Sequence, residues 1–537
     1  MDRDRSSLTP GVTSRPTTGV RRALIALPVG FLVVFYLWPV ATLVATVADL
    51  DAVRSVLSQP GLWRVVWFTT WQALASTVAT VVVGLGPAHL VARWSFPGRR
   101  LLAAAITVPF LLPTVVVAAA FTALLPERLE HTATAIIIAH VFFNVAVVVR
   151  VVGGLWSEVP PDLTAAARTL GASPARASWG VTLPLLRPAI TAAATITFLF
   201  SFTSFGVVQI LGGPRHPTIE VEIARRATQL GDVTGAAVLS MMQLAILGVL
   251  VAVAARWQPR PVGMALAPVR RRVPTTPRQR SGIRAAALAA AAFVVVPLGA
   301  LVVGSVRIDR RWTLVAWTGL GRPAERPGAS LPLDLIGSVR TSAMIAAAAT
   351  TISLVVGASA ALAIASARSG GRALDVGVML PLGTSAVTVG FGMLIAFDRA
   401  PVDWRGAPWL VPVAHSLIAI PFVVRTLLPT LRSRPAAWGD AAATLGATPT
   451  QAWWHIDVRR LGRPLVAAGG LAAAISLGEF GATTFLSRSG TETLPVVIGR
   501  LLGRAGDLPR AQAFALASML AATTLALVIS IDQLDPS

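Results

Sequence analysis

Residues 160–174 read PPDLTAAARTLGASP, and residues 435–449 read PAAWGDAAATLGATP. In each copy an alanine-rich stretch, a strong helix former, runs into a glycine, Gly171 or Gly446, placed where the residue after a helix takes left-handed geometry. Two residues further on, Ser173-Pro174 and Thr448-Pro449 supply an N-cap and a proline in the first helical position. The pattern predicts helix, tight turn, helix, twice over.

The two copies lie 275 residues apart, and the same offset links much of the chain. It carries Ala139-His140 onto Ala414-His415 and Val148-Val149-Arg150 onto Val423-Val424-Arg425. It also carries Trp179 onto Trp454, Ser201 onto Ser476, Phe205-Gly206 onto Phe480-Gly481, Thr218 onto Thr493 and Arg225 onto Arg500. Upstream it drifts slightly: Gly84 pairs with Gly357 and Pro109 with Pro381. A tandem duplication is the simplest source of such a repeat.

The surroundings of the two turns are those of a membrane protein. The 537 residues are 54% hydrophobic and 13% charged, with a mean hydropathy of +0.70, which leaves too little polar surface for soluble domains. Apolar stretches long enough to cross roughly 30 Å of hydrocarbon fall at 23–48, 63–92, 101–125, 133–155, 189–212, 234–255, 285–306, 338–366, 373–397, 408–430, 465–487 and 508–531. The first is longer than a signal-peptide core and reads as a retained span. The expected fold is all-α and polytopic, with about twelve spans in two six-helix halves. An even number per half gives both the same orientation, with an axis along the membrane normal.

Composition excludes several functions. There is no Cys, so disulfides and thiolate chemistry are absent. There is no Lys either: all 46 basic residues are Arg, which removes the Walker A lysine and any lysine nucleophile. The chain has no ATP-binding P-loop of its own, and no cofactor is expected. A net charge of +22 would suggest a nucleic-acid partner in a soluble protein; beside a bilayer it reads as topology instead. With the N-terminus inside, 28 Arg fall in inside segments and 18 outside, favouring cytoplasmic N- and C-termini. Six of the 18, Arg307, Arg310, Arg311, Arg322, Arg326 and Arg340, crowd one outward segment, 307–340, and strain that assignment. The expected organisation is a tail (1–22), a first transmembrane domain (23–255), an Arg/Pro-rich cytosolic linker (256–284), a second transmembrane domain (285–531) and a short tail (532–537).

With the paired loops at equivalent places after spans four and ten, the chain resembles the inner-membrane permeases of binding-protein-dependent ABC importers, whose signature loop reads E-A-A, three residues, G. Ala165 stands where the first glutamate is expected, Asp440 replaces it in the second half, and Val458-Arg459 stands where the first half has Leu183-Pro184. The resemblance implies that Ala166, Ala167, Gly171, Ala172 and Ser173, with Asp440, Ala441, Gly446, Ala447 and Thr448, form coupling loops for two copies of an ABC ATPase. It also implies an extracytoplasmic substrate-binding protein as partner, alternating access as the mechanism, and a bacterial inner-membrane location without enzymatic activity of the chain itself. Within the family, the fused layout and the stretches 204–223 and 476–481 look most like thiamine permeases, with ferric-iron permeases next.

Ionisable residues inside a membrane are functional candidates. Glu479, in the eleventh span between Gly478 and Gly481, can attract a cationic solute, and thiamine carries a fixed positive charge. Glu479, Ser204 and Ser476 are the candidate translocation-path residues. His140 and His415 have no carboxylate or thiolate at ligand spacing, so they are read as helix-to-helix hydrogen-bonding groups and no metal is expected. The segments 214–233 and 489–507 read as amphipathic surfaces for the binding protein. A twelve-span secondary transporter is the rival from another class, but it accounts for neither helix–turn–helix loop. An embedded enzyme is weaker, since no nucleophile and base cluster.

Overall fold

The computed structural model describes residues 17–257, 271–321, 334–367, 370–399, 402–404, 406–433, 435–488 and 490–534. The first 16 residues, linker residues 258–270, Arg322 and Arg326 of the outward arginine segment, and residues 535–537 lie outside the described residues.

Helix dominates. In chain order, apart from single turns and short 3-10 pieces, the first half runs α1 (Thr18–Thr46), α2 (Leu50–Leu57), α3 (Pro60–Arg93), α4 (Arg99–Leu111), α5 (Thr114–Leu124), α6 (Ala133–Glu158), α7 (Pro161–Thr169), α8 (Pro174–Phe202), α9 (Gly206–Leu211), α10 (Ile219–Arg225) and α11 (Val233–Trp257). The second half runs α12 (Pro277–Ser305), the hairpin β1 (Arg307–Ile308) and β2 (Arg311–Trp312), α13 (Leu335–Ser366), α14 (Gly371–Gly383), α15 (Ala386–Ala396) and the hairpin β3 (Asp398–Arg399) and β4 (Val402–Asp403). It continues with α16 (Leu410–Arg432), α17 (Ala436–Thr444), α18 (Pro449–Gly478), α19 (Gly481–Leu486), α20 (Leu494–Leu502) and α21 (Asp507–Leu534). The chain is an all-α polytopic membrane protein: among the described residues ten helices are long and apolar enough to span, and counting each of two bent pairs as one span brings the number to twelve.

The bends fall at the third and ninth expected spans, where α4 meets α5 at 103° and α14 meets α15 at 97°. Both follow from local chemistry. Leu112 precedes Pro113 and is extended, with ψ 144°, as the proline ring demands of its neighbour. In the second half Thr384 is extended and Ser385 caps α15 by accepting the Thr388 N–H at 3.0 Å. The fifth and eleventh spans also depart from the continuous helices expected at 189–212 and 465–487. They begin earlier, at Pro174 and Pro449, so the second helix of each loop motif is the start of a span. They then stop at Phe202 and Gly478 and restart at Gly206 and Gly481. A π-helical stretch lies near the start of each, Ser178–Thr182 and Trp453–Val458.

By packing, the chain divides into two compact units that interleave in sequence: Met1–Ala45 with Gly337–Thr493 and Ala526–Ser537, and Thr46–Ile336 with Leu494–Leu525. Thus α1, the opening helix of the first repeat, packs with the second. The Tyr36 hydroxyl lies 2.5 Å from the Thr384 hydroxyl, and the Phe35 ring 6.1 Å from Trp409. Conversely α12, which opens the second repeat, buries Ile283, Ala290 and Val294 against Leu90, Leu102 and Val145 of the first. One close approach is the same in both repeats. A Cβ at Gly84 on α3 would sit 2.7 Å from Val148 on α6, and a Cβ at Gly357 on α13 would sit 2.7 Å from Val423 on α16. Only glycine lets these helix pairs come so near.

Candidate functional site: two turns and two intramembrane polar centres

The loop motifs form as their residues dictate. After α7, Gly171 adopts φ 88°, its N–H donates to the Arg168 carbonyl at 3.0 Å, and the Ala172 N–H donates to the Ala167 carbonyl at 3.0 Å. After α17, Gly446 adopts φ 81°, its N–H reaches the Ala443 carbonyl at 3.0 Å, and the Ala447 N–H reaches the Ala442 carbonyl at 3.0 Å. This is the Schellman pattern, which satisfies the last carbonyls of the first helix. The Ser173 and Thr448 hydroxyls then accept the Arg176 and Gln451 N–H groups at 3.2 and 3.3 Å. Asp440 and Ala441 are exposed, as are Ala166 and Ser173, whereas Ala167, Ala172 and Ala447 are half-buried. The residues that stand out most are ones the motif reading passed over: Leu170 and Leu445, 89% and 88% exposed immediately before the glycines. Trp179 and Trp454 are exposed further along. Each of the two matching turns is thus accompanied by an exposed leucine and an exposed tryptophan.

Glu479 stands in the break between α18 and α19. It is extended, with φ −71° and ψ 123°, and is buried. Its carboxylate caps α19, accepting the Ala482 and Thr483 N–H groups at 2.9 and 3.0 Å and the Thr483 hydroxyl at 2.7 Å. This explains why the span breaks here, since a carboxylate at a helix N-terminus satisfies donors that have no carbonyl to reach. His415 on α16 completes the centre. Its Nδ1 lies 2.7 Å from the Ser476 hydroxyl, and its Nε2 lies 2.7 Å from Thr483 Oγ1 and 3.2 Å from the Glu479 carboxylate. One assignment of protons satisfies the whole chain: Ser476 O–H to Nδ1, Nε2–H to Thr483, Thr483 O–H to Glu479. The structure therefore brings together Glu479 and Ser476, two of the three expected path residues, and adds His415 and Thr483.

Ser204, the third, lies at the matching break of the first half and is buried there. The offset of 275 places Ser204 opposite Glu479 and Val208 opposite Thr483, so the first half has neither the acid nor the threonine that seals the second. Its polar centre is built from other residues, on α3, α6 and α8. His140 Nδ1 lies 3.2 Å from the Ser76 hydroxyl. The Gln72 amide donates to the Ser201 and Thr69 carbonyls at 3.0 and 3.1 Å, and the Asn144 amide donates to the His140 carbonyl at 3.0 Å and the Ser201 hydroxyl at 3.5 Å. Sequence reading missed Gln72, Ser76 and Thr197. A visible signal was their spacing, since Gln72/Ser76, His140/Asn144 and Thr197/Ser201 are each four residues apart on one helix face.

In the segments expected to serve as amphipathic outer surfaces, the short helices are mostly buried while the flanking residues 228–231 and 505–507 are exposed. On α10, Ile219, Glu220, Glu222 and Ile223 are buried, and on α20 so are Val496, Val497 and Ile498. Burial alone would push the Glu222 carboxyl up. Hydrogen bonds from Arg225 at 2.7 and 2.8 Å and from Arg226 at 2.9 Å, with their positive charges, outweigh it and hold the group below the usual carboxylate range. Arg226 is held in turn by Asp232 at 3.0 Å and Gln59 at 2.7 Å. Among the described residues no group of three or more His, Cys, Asp or Glu is placed to hold a metal ion.

Comparison with known proteins agrees with this architecture. Residues 80–314 match the family of binding-protein-dependent transport system inner membrane components. The thiamine transport system permease protein of Brucella abortus strain 2308 is 28% identical over 496 residues, covering 88% of each chain. Its Escherichia coli K12 counterpart is 26% identical, covering 82% of this chain and 84% of its own. A putative 2-aminoethylphosphonate transport system permease protein of Salmonella paratyphi A is 33% identical over 155 residues, which is 29% of this chain and 57% of that protein. Twelve spans' worth of helix and a duplicated turn motif accompany this likeness, and over most of its length the chain is similar to the multi-pass inner-membrane permeases of thiamine transport systems.

Proposed function

We propose that this chain forms the translocation path for thiamine in an ABC importer, driven by two copies of a separate ATPase and fed by an extracytoplasmic binding protein. The observation that carries the reading is the pair of Schellman turns with identical hydrogen bonds, each presenting a leucine almost fully to solvent. A single turn of this sort is common, whereas two that match across a 275-residue duplication suit two copies of one partner. The substrate follows from the thiamine permeases that resemble the chain over 82–88% of its length. The arginine distribution supports cytoplasmic N- and C-termini, and the two repeated transmembrane segments, 23–255 and 285–531, supply the helices that move in alternating access. We place the path beside the two helix breaks, with Ser204 at one and Glu479 and Ser476 at the other, because ionisable and polar side chains at broken spans inside a membrane mark solute pathways.

The test is reconstitution of the chain in liposomes with its ATPase and binding protein. Thiamine uptake that requires ATP is expected. Gly446→Val puts a β-branched residue at φ 81°, a strained position. It is expected to cut uptake at least about tenfold while ATP hydrolysis by the bound ATPase continues, a loss of about 1.4 kcal/mol or more in coupling. Full coupling in that variant would remove the docking assignment. A chain purified from its native membrane without any ATPase would favour a secondary transporter instead.

A further inference from the structure

The first-half centre is left open in a way the second is not. Among the described residues four of its buried polar atoms have no hydrogen-bond partner: Gln72 Oε1, Asn144 Oδ1, His140 Nε2 and Thr197 Oγ1. Their residues are 0–2% exposed. In hydrocarbon no bulk water relieves such atoms, so each one left alone is destabilising. They do not arise from the shared scaffold, because the second repeat has Ile345, Ala419 and Ala472 at the positions of Gln72, Asn144 and Thr197.

The unused capacity has a sign. Both amide nitrogens already donate, to Ser201, Thr69 and His140, which leaves two amide oxygens that can only accept. His140 Nε2 and the Thr197 hydroxyl can adapt to either role. A cluster with two fixed acceptors and two adaptable groups complements a ligand that brings N–H donors. It also adjoins Ser201, one residue from the end of α8, where the span is interrupted. We propose that this cluster is a binding site for an amino-bearing solute, accepting hydrogen bonds from the amino group of the aminopyrimidine ring in thiamine. The proposal rests on the reading of the chain as a thiamine permease, and it confines recognition inside the permease to the first repeat. The helices part to admit the solute and close on it during the cycle.

The experiment compares uptake of thiamine with uptake of oxythiamine, its analogue in which an oxygen replaces the amino group, in liposomes holding the complete importer. Wild type is compared with Gln72→Ile/Asn144→Ala/Thr197→Ala, which installs the second repeat's residues in the first. Since the same binding protein serves both, the change in the thiamine-to-oxythiamine ratio reports the permease alone. That ratio is expected to fall at least about tenfold in the variant. An unchanged ratio overturns the site and leaves the thiamine function standing, even where the melting temperature has moved, and identifies the cluster as a holder of ordered water. Absence of thiamine uptake by wild type overturns the function and the site together. Should the triple variant fail to assemble, Asn144→Ala alone is judged by the same ratio.

Discussion

The centres around His140 and His415 occupy one position in two copies of a single repeat, and they have been finished differently. Each imidazole reaches a serine on a neighbouring helix, at 3.2 Å for Ser76 and 2.7 Å for Ser476. In the second half an acid and a threonine close the arrangement, so that Glu479, Thr483, His415 and Ser476 use one another's donors and acceptors. In the first half the equivalents of those two residues are Ser204 and Val208, and Gln72, Asn144 and Thr197 bring in polar atoms that stay unpaired. A closed centre holds a broken span in shape, whereas an open one has capacity for something else. Duplication supplied the common scaffold, and a handful of substitutions left the two copies with different hydrogen-bond networks.

This contrast can be broken most directly at Glu479. Glu479→Leu leaves the N–H groups of Ala482 and Thr483 without their acceptor, and a loss of about 3–5 kcal/mol is expected from several buried donors at once. Ser204→Ala, at the matching position, is expected to cost about 1 kcal/mol or less. Thermal unfolding in detergent reads both, and equal shifts would sink the distinction between a sealed and an open centre. Next in size is His415→Ala, expected to cost about 2–3 kcal/mol because Ser476 and Thr483 both lose a partner, against about 1 kcal/mol for His140→Ala. A larger effect at His140 would mean that its Nε2 has a partner in the membrane.

Two further predictions sharpen the comparison at places where the repeats should agree or differ for other reasons. Gly84→Ala and Gly357→Ala each force a Cβ to within 2.7 Å of a valine. Both are expected to destabilise by about 1–3 kcal/mol, and by similar amounts, through overpacking; a clear inequality would show that the helix pairs are not equivalent. The smallest effect is the pH response of the outer helix. The Glu222 carboxyl is held below the usual range, so its contribution is fully present above the unfolded value near pH 4 and is lost as pH falls through the lower folded value. Its counterpart is Val497, which titrates nothing. Melting curves between about pH 5 and pH 3 should therefore show an acid-induced loss in wild type that Glu222→Gln reduces.

Much of this was legible in the residues. Gly171 and Gly446, followed by Ser173-Pro174 and Thr448-Pro449, announced the turns because a left-handed residue, an N-cap and a first-turn proline are short-range requirements. The hydrophobic runs marked the spans for a similar reason, since crossing hydrocarbon is a property of a segment and not of its neighbours. The bends at Pro113 and Ser385 went unread although each has a local cause, because an apolar run conceals a corner. The break at Glu479 was hidden further, because an acid within an apolar stretch does not show by itself that it caps a new helix by accepting the Ala482 and Thr483 N–H groups.

The sequence by itself determined the class, the duplication and the two helix–turn–helix motifs. These follow from composition, from covalent geometry and from spacing along the chain. Tertiary structure alone decided that α1 and α12 pack with each other's repeats, because helices apolar on nearly every side do not encode which neighbour covers them. It alone decided which buried polar atoms are satisfied, because a hydrogen bond between residues such as His415 and Thr483, 68 positions apart, exists only once the helices are packed.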